Sequence, residues 1–256
     1  MLPEDIRVFG NGGVKERNSV LIEGEDGFIL FDPPGEKTVA QLISESCRQL
    51  GKSVRIIVYT HHHVNHLLGA SYFPEGIICS HETTMLQLKE KEIDLGVRLP
   101  NLLFSSSIEI RCCRGWLRLF HCPGHTVDSI CGVYGDILLG GDTILENSPP
   151  FWGEGESTTY LRSLAELSSL NISLVIPGHG KICGRDRLSI YVDYIEKLTN
   201  SAWYILERGG EPDSCRLPLS EFYPNYLRVM VPEFHLANLQ TLSREWIART
   251  QRKETS

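Results

Sequence analysis

No uncharged apolar run in the 256 residues approaches the ~20 needed to span a bilayer, so no transmembrane helix is expected. The start, MLPEDIRVFG, lacks a basic segment followed by an apolar one, and an unexported, cytoplasmic protein is the expectation. The eight cysteines include no CxxC pair and no zinc-finger spacing, which reads as free, buried thiols. Basic residues are outnumbered 25 to 32, for a formal charge of −7, and no basic run exceeds the RTQRK of the tail. Long-range steering of a polyanion is therefore weak, and nucleic acid drops down the order of substrates. Internal repeats and low-complexity segments are absent as well, while 41% apolar and 22% charged residues are what an ordinary packed domain carries.

What the chain does have is strand and helix signals in sequence. Residues 5–9, 18–23 and 28–32 read as short strands separated by the turns GNGG and GEDG. GNGG (10–13) is not a phosphate loop, since it lacks the GK[ST] ending and a following helix. Residues 37–50 place Val39, Leu42, Ile43, Cys47 and Leu50 at helical spacing and stop at Gly51. Apolar strands follow at 54–60, 76–80, 116–122, 129–134, 136–142 and 173–177, with helices over 82–92 and 158–170. Two blocks of strands, each followed by helix, predict an α/β sandwich of sheets flanked by helices. From residue 188 the pattern changes to helices over 188–207 and 233–250 joined by RGGEPDSCRLPLS. The expected organisation is a core over 1–187 and a helical extension over 188–256.

Each candidate donor follows an apolar strand: 54–60 leads to His61, His63, Asn65 and His66, 116–122 to His125, 136–141 to Asp142, and 173–177 to His179. If these strands share a core, their ends lie on one edge and the donors converge. Alternation in an extended segment puts His61 and His63 on one side and His62 on the other, so His62 is not expected to be a ligand. Imidazole and carboxylate donors suit zinc, iron and manganese alike. Each donor alone has a bland reading: Asn65 as a helix N-cap, Asp142 as a strand end, the GH pairs as turns. Five of the nine histidines gathered in such turns favour metal ligation over that reading. His81 and His121 read as packing or capping groups, and Phe151 and Trp152 equally as an apolar wall near the metal or as ordinary surface or core residues.

THHHVNH (60–66), PGHT (123–126), GGDT (140–143) and PGHG (177–180), in this order, resemble the metallo-β-lactamase superfamily of metallohydrolases over residues 18–182. The resemblance implies a four-layer αββα sandwich with the 188–256 extension capping the active site. It implies His61, His63 and His125 on a first metal, His66 and His179 on a second, and Asp142 bridging both. The family's HxHxDH has Asn65 where the second metal's aspartate stands, which weakens that site and makes Asn65, with Asp142, a position of catalytic interest. One or two divalent ions are expected, with zinc leading and iron or manganese as alternatives. The expected chemistry is attack by a metal-bound hydroxide on a small acyl substrate, a thioester, lactone or related ester, as in the glyoxalase II-like and lactonase-like branches. The alternatives are a mononuclear iron enzyme of the persulfide dioxygenase kind, a nucleic-acid-processing hydrolase and a non-catalytic metal-binding protein. A small molecule is the expected partner, rather than nucleic acid or a membrane, with a homodimer left open. Tyr223, Tyr226, Arg228, His235 and Asn238 of the extension are candidates to line the pocket, with surface or packing roles as the alternative.

Overall fold

The computed structural model describes residues 2–10, 17–91, 96–224 and 231–254. Its first sheet has the order β1 (Ile6–Phe9), β2 (Ser19–Glu23), β3 (Phe28–Phe31), β4 (Val54–Val58), β5 (Ile77–His81), β6 (Leu102–Phe104). The pairs β1–β2–β3 are antiparallel and β3 to β6 run parallel. The second sheet runs β12 (Cys183–Gly184), β11 (Leu174–His179), β10 (Ile137–Leu145), β9 (Ile130–Tyr134), β8 (Gly115–His121), β7 (Ser107–Cys112). Within it only β10–β11 is a parallel pair.

Strand alternation divides the apolar residues among three interior layers. Val20, Ile22, Ile29, Phe31 and Val58 face Leu117, Leu119, Ile130, Leu139 and Ile176 between the sheets. Leu21, Phe28, Leu30 and Ile57 point the other way, onto α1 (Lys37–Gln49) and α2 (Glu82–Glu90) through Ala40, Ile43, Cys47 and Leu88. Outside the second sheet, Phe120, Leu138, Ile144 and Val175 meet α3 (Ser157–Ser169), α4 (Asp186–Glu207) and α6 (Glu233–Glu254). The four layers are therefore the αββα sandwich expected from the motif order. Leu188, Tyr191, Tyr194, Ile195 and Leu198 of α4, and Leu239 and Leu242 of α6, sit in one cluster with that sheet. A four-residue turn of helix, α5 (Leu219–Phe222), links them.

Four details differ from the sequence reading. α1 buries Ala40, Ile43 and Cys47, leaving Leu42 61% and Leu50 43% exposed, because the stripe at 40, 43 and 47 alone faces the sheet. The short helix after the histidines is a pair of 3₁₀ turns, Val64–His66 and Leu68–Tyr72, with Asn65 inside the first and His63 at its N-cap. β10 continues through Asp142 to Leu145 rather than ending there. Strands β6, β7 and β12 were not anticipated. Tyr226, Arg228 and the NGG of the first turn lie outside the described residues. Among the described residues, no helix is long and apolar enough to cross a membrane.

Candidate metal centre

The strand ends do converge. His61 Nε2 lies 2.9 Å from His63 Nδ1, and His125 Nε2 lies 3.2 Å from the same atom. Two nitrogens bound at ~2.05 Å to one tetrahedral ion stand roughly 3.3 Å apart, so this spacing fits a shared cation. Asp142 Oδ2 is 3.3 Å from His66 Nε2 and 3.8 Å from His125 Nε2, and Asp142 Oδ1 is 3.5 Å from His179 Nε2. All six residues named from the sequence as ligands therefore meet around one point. His66 Nε2 and Asp142 Oδ1 are buried and make no hydrogen bond, as a donor pair reserved for a cation would. Gly178 makes the approach of the last loop possible, since a Cβ there would stand 2.2 Å from Asp142 Oδ1 and 2.6 Å from the Gly141 carbonyl carbon. Asn18 straps this loop: its N–H donates to Gly178 O (2.8 Å), and its Nδ2 donates to Pro177 O (2.9 Å) and Gly180 O (2.8 Å).

The partners behind the imidazoles fix which nitrogen faces inward. His125 Nδ1–H donates to Phe151 O at 3.1 Å, and His63 Nε2–H donates to Glu154 Oε1 at 3.2 Å. His66 Nδ1–H donates to Asp32 Oδ1 at 2.8 Å. His61 Nδ1–H donates to Thr60 Oγ1 at 2.9 Å, and Thr60 passes its own proton toward Asp32 Oδ1 at 3.2 Å. One carboxylate oxygen thus anchors two of the candidate ligands, His66 directly and His61 through Thr60, in the manner that orients metal-binding imidazoles elsewhere. Asp32 is 1% exposed and adopts a left-handed backbone at φ 62°, a conformation that costs a non-glycine residue about 1 kcal/mol and is held here by its surroundings.

The electrostatics divide the cluster. Burial, reinforced by the neighbouring imidazoles, pushes His61 well below the ordinary histidine range. Burial also lowers His63, and it takes His125 down to about 4 against the pull of Asp142. His66 goes the other way: burial opposes its charge, but the Asp32 and Asp142 carboxylates raise it to about 9. Asp142 is held well below the carboxylate range, because His66 and His179 outweigh its burial. Three neutral imidazoles therefore adjoin a charged imidazole–carboxylate pair.

His62 turns away from the cluster, as alternation required. Its Nδ1 meets the buried Asp128 Oδ1 at 2.7 Å, and its Nε2 faces Glu154 Oε2 (3.2 Å) and Lys91 Nζ (2.8 Å). Lys91 also pairs with Glu154, and this pairing, with His63, overcomes burial and brings the Glu154 carboxyl down to about 2. Asn65 is exposed in the first 3₁₀ turn. His81 caps α2, its Nδ1 accepting from Thr83 N, and stacks on His121 at 3.9 Å. Phe151 is half-buried with its ring 5.4 Å from His125 and stacked on Phe234 at 4.6 Å, whereas Trp152 is fully buried in the core. Tyr223, His235 and Asn238 are buried too and line no open surface. Asp32, Thr60, Asp128, Lys91 and Glu154 were missed by the sequence reading. For Asp32 the signal was present, because FILFD ends an apolar strand as the ligand motifs do.

The comparisons agree with this geometry. The family model described as the metallo-beta-lactamase superfamily matches residues 12–91, which include the THHHVNH motif. A Methanocaldococcus jannaschii protein named "Probable metallo-hydrolase" is 29% identical over 195 residues, 68% of this chain and 93% of its own. The hydroxyacylglutathione hydrolase of Xylella fastidiosa is 28% identical over 239 residues, 88% of this chain and 84% of its own. In architecture the chain is similar to the crystal structure of DIM-1 metallo-beta-lactamase, with a TM-score of 0.66 and 20% identity over 77% of this chain and 95% of that one. The chain is thus similar to the metallo-beta-lactamase superfamily over residues 12–91 and has the fold of a metallo-beta-lactamase, and these similarities support metal-dependent hydrolysis.

Proposed function

We propose that the protein hydrolyses a small acyl substrate, a thioester, lactone or related ester, with zinc in the site. The observation that carries this reading is the set of three neutral, inward-facing imidazole nitrogens on His61, His63 and His125 beside an ionised Asp142. Three nitrogen donors with a further position open are what a catalytic zinc takes. When bound, the metal acidifies a coordinated water and polarises the acyl carbonyl. Asp142 stays ionised among His66, His125 and His179, so its carboxylate can accept a proton from the attacking water and hold that water in line. The second ion would fall to His66, Asp142 and His179. Phe151 and Phe234 supply an apolar shelf beside His125 that suits an acyl chain and excludes water from one side. Similarity to a hydroxyacylglutathione hydrolase over 88% of the chain supports the acyl reading. Eight free cysteines suit a reducing interior, and we place the protein in the cytoplasm.

The test is a panel of thioesters, lactones and simple esters offered to protein of measured zinc content, with His125→Ala and Asp142→Asn as blanks. Turnover by the wild type alone supports the reading; equal turnover by the blanks overturns it. A second reading has its own observation: donor atoms of His61, His66 and Asp142 also lie within 4.8 Å of one another, the two-His-one-carboxylate set of non-haem iron oxygenases. Iron in protein purified without added metal, with oxygen consumption on persulfides, would favour that reading over zinc hydrolysis.

A further inference from the structure

His125 presents Nε2 to the metal only while its Nδ1–H is taken up by the Phe151 carbonyl, 3.1 Å away. That carbonyl belongs to the loop between β10 and α3, which has no ladder of its own to hold it at this point. The loop is held from outside by several side chains, Arg244 Nη2 donating to Gly153 O at 3.3 Å among them, and on the two sides of Phe151 by one side chain of α6. Asn238 is completely buried; its Nδ2–H donates to Pro150 O at 2.6 Å, and its Oδ1 accepts from Trp152 N–H at 3.3 Å. The two bonds grip the backbone on either side of Phe151. They also settle the orientation of the carboxamide, because a carbonyl needs a donor and an N–H needs an acceptor.

The carboxamide is itself held. Its Nδ2 also donates to Tyr194 Oη at 3.3 Å, Tyr194 Oη donates to His235 Nδ1 at 2.7 Å, and His235 Nε2–H donates to Leu217 O at 2.7 Å. Each buried polar atom in this run has a partner, so the network is rigid rather than merely present. Upstream, Tyr223 and Tyr191 donate to Ser148 O at 2.6 and 3.2 Å, tying the same loop to α4 and the segment after α5.

We infer that Asn238 is a positioning residue for the metal site: it transmits the placement of α6 to His125 through the Phe151 carbonyl. The inference rests on reading His125 as a metal ligand, and it extends that reading to a residue that touches neither metal nor substrate. Outer hydrogen-bond partners of metal ligands change affinity by roughly 10- to 100-fold when removed, and Asn238 governs such a partner.

The experiment uses the full chain and two readouts. Zinc affinity is measured by competition with a chromophoric chelator, and the His125 Nδ1–H proton is followed by NMR in metal-free protein. Asn238→Ala should weaken zinc binding roughly 10-fold or more and expose the His125 Nδ1–H to exchange with water. Asn238→Asp keeps the volume and the acceptor for Trp152 N–H but sets an oxygen against Pro150 O, and it should act in the same direction. Leu242→Ala removes packing from the same helix and breaks none of the hydrogen bonds that hold the loop; it should lower the melting temperature and leave zinc affinity and the imidazole proton unchanged. Unchanged zinc affinity and an unshifted His125 Nδ1–H in both Asn238 variants overturn the inference. So does a loss of zinc in Leu242→Ala as large as that in the Asn238 variants, which would reduce the effect to general destabilisation. If the wild type binds zinc but hydrolyses no acyl compound, the proposed function falls while the affinity comparison still decides this inference. If the wild type holds no zinc, the metal reading falls, and the imidazole proton alone tests the link from Asn238 to His125.

Discussion

Filling the two metal positions should release different numbers of protons, and the difference follows from the imidazoles. Burial holds His61, His63 and His125 below the ordinary histidine range, so a first ion on them displaces fewer protons than an ion that must bind a charged imidazole. His66, raised to about 9 by Asp32 and Asp142, is almost fully charged at that pH, and an ion reaching its Nε2 must expel about one proton. Removing that proton across about 2.5 pH units costs on the order of 3 kcal/mol at roughly 1.36 per unit, a ~300-fold loss of apparent affinity for the second ion. This penalty adds to the repulsion between two cations and to the absence of a carboxylate at Asn65. Calorimetric zinc titration at pH 6.5 in buffers of different ionisation enthalpy counts the protons directly, and below pH 7 ionisation of water on the ion contributes little. The expected result is a tight event releasing a small fraction of a proton and a weak one releasing about one more, with the weak event tightening the more steeply from pH 6 to 7. Asp32→Asn should lower both the proton count and the pH slope of the weak event, because it removes the foremost group charging His66. A first ion that releases a full proton, or two pH-independent events, would refute the reasoning.

Metal-free protein should be most stable near pH 6.5. The His125 contribution, with a folded value of about 4, is present above 6.5 and lost as pH falls; that of His66, at about 9, is present below 6.5 and lost as pH rises toward 9. Melting temperatures of chelated protein from pH 4.5 to 9 test this, and a monotonic trend would contradict it. His125→Ala and Asp142→Asn should each cut turnover by roughly 100-fold or more while the metal-free far-UV spectrum stays that of the wild type. Gly178→Ala should abolish metal binding by driving a methyl into Asp142 Oδ1, and wild-type zinc affinity in that variant would show that the loop can yield. Deleting residues 210–256 removes Leu239 and Leu242 from the core outside the second sheet, worth about 4 kcal/mol together, and should leave a chain near the limit of stability; an unchanged melting temperature would count against this packing.

The convergence of the six candidate donors was legible because each follows an apolar strand, and parallel or neighbouring strands deliver their ends to one edge. His62 was separable from His61 and His63 by alternation alone. The supporting groups were harder for distinct reasons. Asp32 stands before two prolines, where an aspartate reads as a turn residue, and its left-handed backbone leaves no mark in the sequence. Glu154 and Lys91 come from a loop and a helix end 63 residues apart, so nothing local couples them. The three-residue β6 and two-residue β12 are too short for any periodicity to register. Leu42 went astray because 37–50 offers more apolar positions than one helix face can bury.

The strap that Asn18 places over residues 177–180 bears on how the protein is made. Its side chain is translated early, yet its partners lie 159 and 162 residues further along the chain. A contact of that span forms late, after the intervening strands have closed the distance. While the nascent chain is still growing, the segment carrying His61, His63 and His66 is already synthesised but has no His179 loop against it. Metal uptake is therefore expected to follow the making of the His179 loop rather than to template the folding of the earlier strands, and a shortage of metal during growth should let loadable apoprotein accumulate.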